Sequence, residues 1–176
     1  MNILSTHDTA RILTVLSGAN VNISRYDSVF KSISKDKLDL TFAKLKIAVV
    51  LLYCLYGLPT IYYGDERGME GYKDPFNRRT INWSKEPKIL SFYRKIGKIR
   101  SGEKVFIDGD TEILLSKNGA LIFKRKTKDE EVIIATNLGE YSYVIENKNG
   151  LKNLYTQEIK NKFILKKDEW LILKPQ

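Results

Sequence analysis

Cysteine is almost absent from this 176-residue chain, and the single Cys54 excludes both an internal disulfide and a cysteine-rich zinc site. Cys54 lies in an apolar stretch and is expected to be an inert core thiol. Neither a metal nor a cofactor enters the reading of any other segment. A signal-peptide pattern is also missing, because Ser5, Thr6, His7 and Asp8 follow the first residues at once. A longer parent would carry any leader upstream, so location is unread and the cytoplasm is favoured. The apolar run Ile47–Tyr56 falls short of the about 20 residues of a membrane span, and no membrane partner is expected. Internal repeats and low-complexity segments are not found.

The formal charge of +9 invites a nucleic-acid reading. Residues 1–100 hold 17 Lys+Arg against 9 Asp+Glu, whereas residues 101–176 hold 13 against 12. The front lysines are scattered among apolar positions without a run of five, so a solvated surface is expected and no nucleic acid. An acidic partner is the remaining alternative.

Composition is that of a globular protein, with 43% hydrophobic and 29% charged residues. Residues 2–6 read as a strand end, Thr9–Leu16 as the start of a helix, and 21–35 as an irregular loop closed by Ser34 or Asp36 as a helix cap. Lys37–Tyr56 has a helical pattern that ends where Gly57 can take a left-handed cap and Pro59 cannot continue. Thr60–Tyr63 reads as a short buried strand and Gly64–Trp83 as a long loop. A helix from about Pro87 to Arg100, capped by Ser84 and closed by Gly102, presents Ile89, Tyr93, Ile96 and Arg100 on one face. Beyond Gly102 the period becomes two. Eight runs separated by Asn-Gly and similar turns predict an antiparallel sandwich: Val105–Ile107, Glu112–Leu115, Ala120–Lys124, Glu131–Thr136, Tyr141–Ile145, Leu151–Tyr155, Lys162–Leu165 and Glu169–Leu173.

Two motifs carry a resemblance. Leu58-Pro59-Thr60-Ile61-Tyr62-Tyr63-Gly64-Asp65-Glu66, continued by Gly68-Met69-Glu70-Gly71 and Asp74-Pro75-Phe76-Asn77-Arg78-Arg79, resembles the last βα unit of the α-amylase family, in its neopullulanase, cyclomaltodextrinase and maltogenic amylase branch. Ile3-Leu4-Ser5-Thr6-His7-Asp8-Thr9-Ala10-Arg11 is similar to the family's segment at the end of the seventh barrel strand. The resemblance implies an α/β plus all-β fold: residues 1–101 as the last two βα units of a (β/α)8 barrel, then residues 102–176 as a carboxyl-terminal β-sandwich. A whole barrel needs about 250 residues, so at most its last quarter is present.

The resemblance also implies roles. Asp8 is the carboxylate that grips sugar hydroxyls and stabilises the transition state, and His7 bonds the same sugar. From the residues alone, Asp8 reads as a surface helix cap for Thr9 onward, with His7 beside it. Asp74 and Arg78, with Asn77, bracket vicinal hydroxyls on the non-reducing side; the plainer reading is an ordinary turn with a local ion pair. Arg11 either binds substrate or pairs with a carboxylate, or is simply solvated. Tyr62, Tyr63, Asp65 and Glu66 read as architectural, and Trp83 and Trp170 as packing residues. The family's nucleophilic Asp and general-acid Glu stand on the fourth and fifth strands and have no counterpart here.

The expected function is therefore that of the carboxyl-terminal part of a retaining α-glucan hydrolase acting on α-1,4 bonds, inactive alone. A non-catalytic carbohydrate-binding module and a basic adaptor are the alternatives. Expected partners are an α-glucan or maltooligosaccharide and the missing amino-terminal part of the barrel. Self-association is expected too, because strands ending at Thr6 and Tyr63 would lack sheet neighbours and Ile47–Tyr56 needs cover on several sides.

Overall fold

Helix α3, Lys35–Cys54, is the element against which both halves of the chain pack; a computed structural model describes it together with all residues except Lys85. Ser34 occupies its N-cap position, and its second half buries Leu45, Ile47, Val49, Val50, Leu52 and Cys54. Residues buried at nearly consecutive positions need neighbours on several sides. Those neighbours are α1 (Ile12–Leu16), α4 (Leu90–Gly102) and the sheet strands β5 (Glu131–Asn137) and β8 (Glu169–Pro175). The apolar run is thus covered within the chain and leaves only Tyr56 largely exposed.

The helix stops two residues earlier than the pattern suggests. Leu55 is already extended, and Gly57 has a φ of +115° beyond the cap rather than in it. Two arginines take over the free carbonyls that a helix end leaves. Arg100 of α4 donates to the carbonyls of Tyr53 and, at 2.8 Å, of Gly57, while Arg125 donates to Cys54 O at 2.9 Å and to Gly109 O at 2.6 Å.

Strands β1 (Asn2–Ile3) and β2 (Pro59–Thr60) pair in parallel, Asn2 against Pro59 and Ile3 against Thr60. Each is shorter than its sequence run. Residues 21–35 are not wholly irregular, because α2 (Arg25–Phe30) forms behind Ser24, whose hydroxyl accepts from Asp27 N at 3.1 Å. Helix α4 starts at Leu90 behind Ile89. Ser84 does not cap it; its hydroxyl is held by Asn82 Oδ1 at 2.6 Å.

The remainder is one six-stranded antiparallel sheet in the order β3-β4-β5-β8-β6-β7, with β3 at Asp110–Lys117, β4 at Ala120–Lys126, β6 at Tyr143–Asn153 and β7 at Ile159–Leu165. Eight runs become six strands for two reasons. Val105–Ile107 is helical, in α5 (Val105–Asp108), because a run of three has no resolvable period and Val105 N donates to Glu130 Oε1 at 2.8 Å. Tyr141–Ile145 and Leu151–Tyr155 fuse into β6, which passes the Asn-Lys-Asn-Gly segment as an irregularity between Glu146 and Leu151. Asn118-Gly119, by contrast, makes a two-residue hairpin with φ of 50° and 80°, the geometry that Asn-Gly favours.

The sheet closes over itself in a sandwich-like way. Strands β5 and β7 are three places apart, about 14 Å in a flat sheet, yet some of their Cα atoms lie within 8 Å. The concave face encloses Ile122, Ala135, Leu151, Leu165 and Leu173. The convex face, with Phe123, Val132, Ile134 and Ile172, shares one core with Leu45, Val49, Phe92 and Ile96 of the helices. Alternating positions of β4 and β5 are therefore apolar on both faces, unlike those of a sheet with one wet side.

Candidate functional site

The carboxyl ends of β1 and β2 both lead into the polar segments that the sequence singles out. What fixes them is a buried arginine. Arg11 has no exposed surface. It donates to Asn77 O at 2.7 Å and to Tyr63 O, and meets Asp65 Oδ1 at 3.1 Å. Its guanidinium lies 4.2 Å from the Tyr62 ring centre and 4.6 Å from that of Tyr63, within cation-π range. Burial raises the pKa of Asp65, while bonds from Ser5 and Arg11 work the other way. The expectation that Arg11 binds substrate thus meets a side chain that no ligand can touch; it fastens the segment after β1 to the one after β2.

Gly71 tightens the same joint. Its carbonyl accepts from Arg11 N at 2.8 Å and its amide donates to Thr14 Oγ1 at 2.9 Å. A Cβ placed on it would stand 2.7 Å from Asn77 Cα and 2.9 Å from Arg11 Cγ, so only glycine allows this approach. Asn77 is buried, and its amide nitrogen donates to His7 O at 2.7 Å and Thr9 O at 2.8 Å.

On this base the side chains of His7 and Asp8 point to solvent, 65% and 71% exposed, with His7 Nε2 3.1 Å from Asp8 Oδ2. Arg78 Nη2 is 3.6 Å from Asp8 Oδ1, and Arg78 Nε is 2.7 Å from Asp74 Oδ1. Arg78 Nε also donates to His7 O at 3.1 Å. His7, Asp8, Asp74 and Arg78 are therefore one surface cluster, assembled from two segments some 70 residues apart. Such a set offers carboxylate acceptors and a guanidinium fork to neighbouring hydroxyls.

Two arginines to which the sequence reading gave no role extend the cluster. Arg25, opening α2, donates to Asp74 O at 3.2 Å and stands 3.5 Å from Asp74 Oδ2. Arg79 donates to Ser28 O at 3.5 Å and Val29 O at 3.3 Å, clamping α2 to the loop. The missed signal was Ser24-x-x-Asp27 together with Tyr26, Val29 and Phe30 at i, i+3 and i+4, a helix start inside an otherwise polar stretch. Trp83, expected to pack, is 76% exposed with Arg67 5.0 Å from its ring centre. Trp170 does pack, with its ring centre 5.2 Å from that of Phe92 and 4.9 Å from that of Tyr155.

Residues 109–169 match the family described as "Alpha-amylase C-terminal domain". An amylopullulanase of Thermoanaerobacter thermohydrosulfuricus is 35% identical over 82% of this chain, and a cyclomaltodextrinase of Thermoanaerobacter pseudethanolicus 31% over 82%. The chain spans 10% of the first relative's length and 22% of the second's. An Anoxybacillus alpha-amylase structure superposes with a TM-score of 0.76 at 24% identity, over 99% of this chain and 38% of that one. Family match, relatives and fold agree with the resemblance carried by the segments Ile3–Arg11 and Leu58–Arg79, and the chain belongs to the alpha-amylase family, carrying its C-terminal domain.

Proposed function

We propose that this chain is the carboxyl-terminal part of a retaining α-glucan hydrolase acting on α-1,4 glucosidic bonds. Residues 1–101 supply the last two βα units of a (β/α)8 barrel and residues 102–176 the carboxyl-terminal domain. Asp8 grips substrate hydroxyls and stabilises the transition state, His7, Asp74 and Arg78 bind the sugar, and Arg11 positions them. The observation that carries the reading is the Asp8–Arg78–Asp74 cluster at the carboxyl ends of two parallel strands, where barrel enzymes keep their chemistry.

Retention requires a nucleophile and a general acid about 5–5.5 Å apart. In this reading both come from the remainder of the barrel, which would also cover the exposed Ile3, Ile61 and Tyr63 beside β1 and β2. The isolated chain then binds maltooligosaccharide weakly and hydrolyses nothing. Incubation with soluble starch, pullulan and cyclodextrin should release no reducing ends. Release that disappears with Asp8→Ala would overturn the proposal.

A further inference from the structure

Helix α2 displays two aromatic side chains to solvent, Tyr26 at 76% and Phe30 at 73% exposure, one turn apart on one face. Isolated apolar residues on a surface need no explanation, but a touching aromatic pair does. The ring centres are 5.5 Å apart and the planes meet at 65°, so the pair forms a corner rather than a flat shelf. The helix is anchored: Arg25 engages Asp74, Arg79 holds the carbonyls of Ser28 and Val29, and Ser28 is buried. Asp74 in turn pairs with Arg78, which reaches Asp8. The aromatic corner and the polar cluster are thus one continuous surface held by ion pairs.

We propose that Tyr26 and Phe30 form an accessory stacking platform for a further stretch of the same α-glucan chain, an inference that rests on the function proposed above. A pyranose ring has an apolar C–H face that lies against the negative face of an aromatic ring and hydroxyl edges that need hydrogen bonds. The corner supplies the first requirement and Arg25, Asp74 and Arg78 the second. Two planes at 65° suit a chain that curls, as α-1,4-linked glucose does, and do not suit the flat ribbon of β-1,4-linked glucose. The platform should distinguish long from short oligosaccharides, because a longer chain can engage the Asp8 cluster and the α2 aromatic pair at once.

The test is titration of the full 176-residue chain with maltose, maltoheptaose and cellohexaose, followed by saturation-transfer NMR. Tyr26→Ala/Phe30→Ala is compared with the conservative Tyr26→Phe, and unfolding midpoints show that each variant is folded. Maltoheptaose should bind more tightly than maltose. The double alanine variant should weaken maltoheptaose binding about tenfold and leave maltose unchanged, while Tyr26→Phe keeps the stacking. Equal binding of maltoheptaose by the parent chain and the double variant overturns the platform alone. So does equal binding of cellohexaose and maltoheptaose, or light scattering that shows a dimer abolished by the double variant. Failure of the unsubstituted chain to bind either α-glucan overturns the underlying function as well.

Discussion

Arg11 and Asp65, 54 positions apart in sequence, form an ion pair of 3.1 Å with side chains 0% and 3% exposed. A buried pair is a weak source of net stability, but removing one partner strands the other charge. Arg11→Met should therefore lower the unfolding free energy by about 3–5 kcal/mol. Arg11→Met/Asp65→Leu should recover part of that loss. Urea titration of both variants checks this, and equal destabilisation by the two would place the strength in the Tyr63 and Asn77 carbonyl bonds instead.

Gly71→Ala should destabilise by about 1–3 kcal/mol, because its Cβ would push on the Asn77 backbone and on Arg11. Gly102→Ala, at the end of α4 with open space around it, should be neutral or stabilising by up to about 1 kcal/mol. Thermal unfolding of the two variants side by side separates close approach from backbone entropy.

Asp8→Asn and His7→Ala should leave stability within about 0.5 kcal/mol, since both side chains are mostly exposed and engage only surface partners. In a longer protein that carries the whole barrel, the same changes should depress turnover. A large fall in melting temperature with retained turnover would make these residues structural.

Lys174 reaches Glu130 at 2.9 Å and also Glu103, pairing the end of β8 with the segments around α5. The bond to Lys174 pulls the Glu130 carboxyl below its usual 4.5, and the bonds to Glu103 and Glu130 hold the Lys174 ammonium above 10.5. The lowered acid contributes stability above pH 4.5 that is lost as pH falls through its folded value. The raised base contributes stability below pH 10.5 that is lost as pH rises through its own. Lys174→Met should therefore differ from the parent chain most at neutral pH, with the gap closing in acid. Denaturation midpoints from pH 3 to 8 measure it, and a constant gap would mean that Lys174 acts through its aliphatic stem.

Light scattering on the purified chain tests self-association. The apolar run Ile47–Tyr56, expected to need cover on several sides, is packed by α1, α4 and the sheet up to Leu55 and leaves Tyr56 exposed, so we look for association at the parallel strand pair and its neighbours Ile3, Leu58, Ile61 and Tyr63. We expect concentration-dependent dimers that Ile61→Lys weakens. A monomer at tens of micromolar would show that this surface tolerates water.

The helical period of α3, the face Ile89–Tyr93–Ile96, the period of two in the strands from Asp110 onward and the Asn118-Gly119 hairpin were legible in the order of residues, because each follows from contacts between near neighbours in the chain. The sequence also carried His7, Asp8, Asp74 and Arg78 as motif residues, without saying that they touch. Only tertiary structure decided that Val105–Asp108 coils, that β6 absorbs its Asn-Gly segment, and that Trp83 is exposed while Trp170 packs. It alone placed Arg11 inside the joint and α2 beside the cluster. The reason is that an arginine, a tryptophan or a run of three apolar residues has no preference strong enough to fix its surroundings. Its fate is set by whichever carbonyls, carboxylates and rings the rest of the fold brings to it, and those lie tens of residues away.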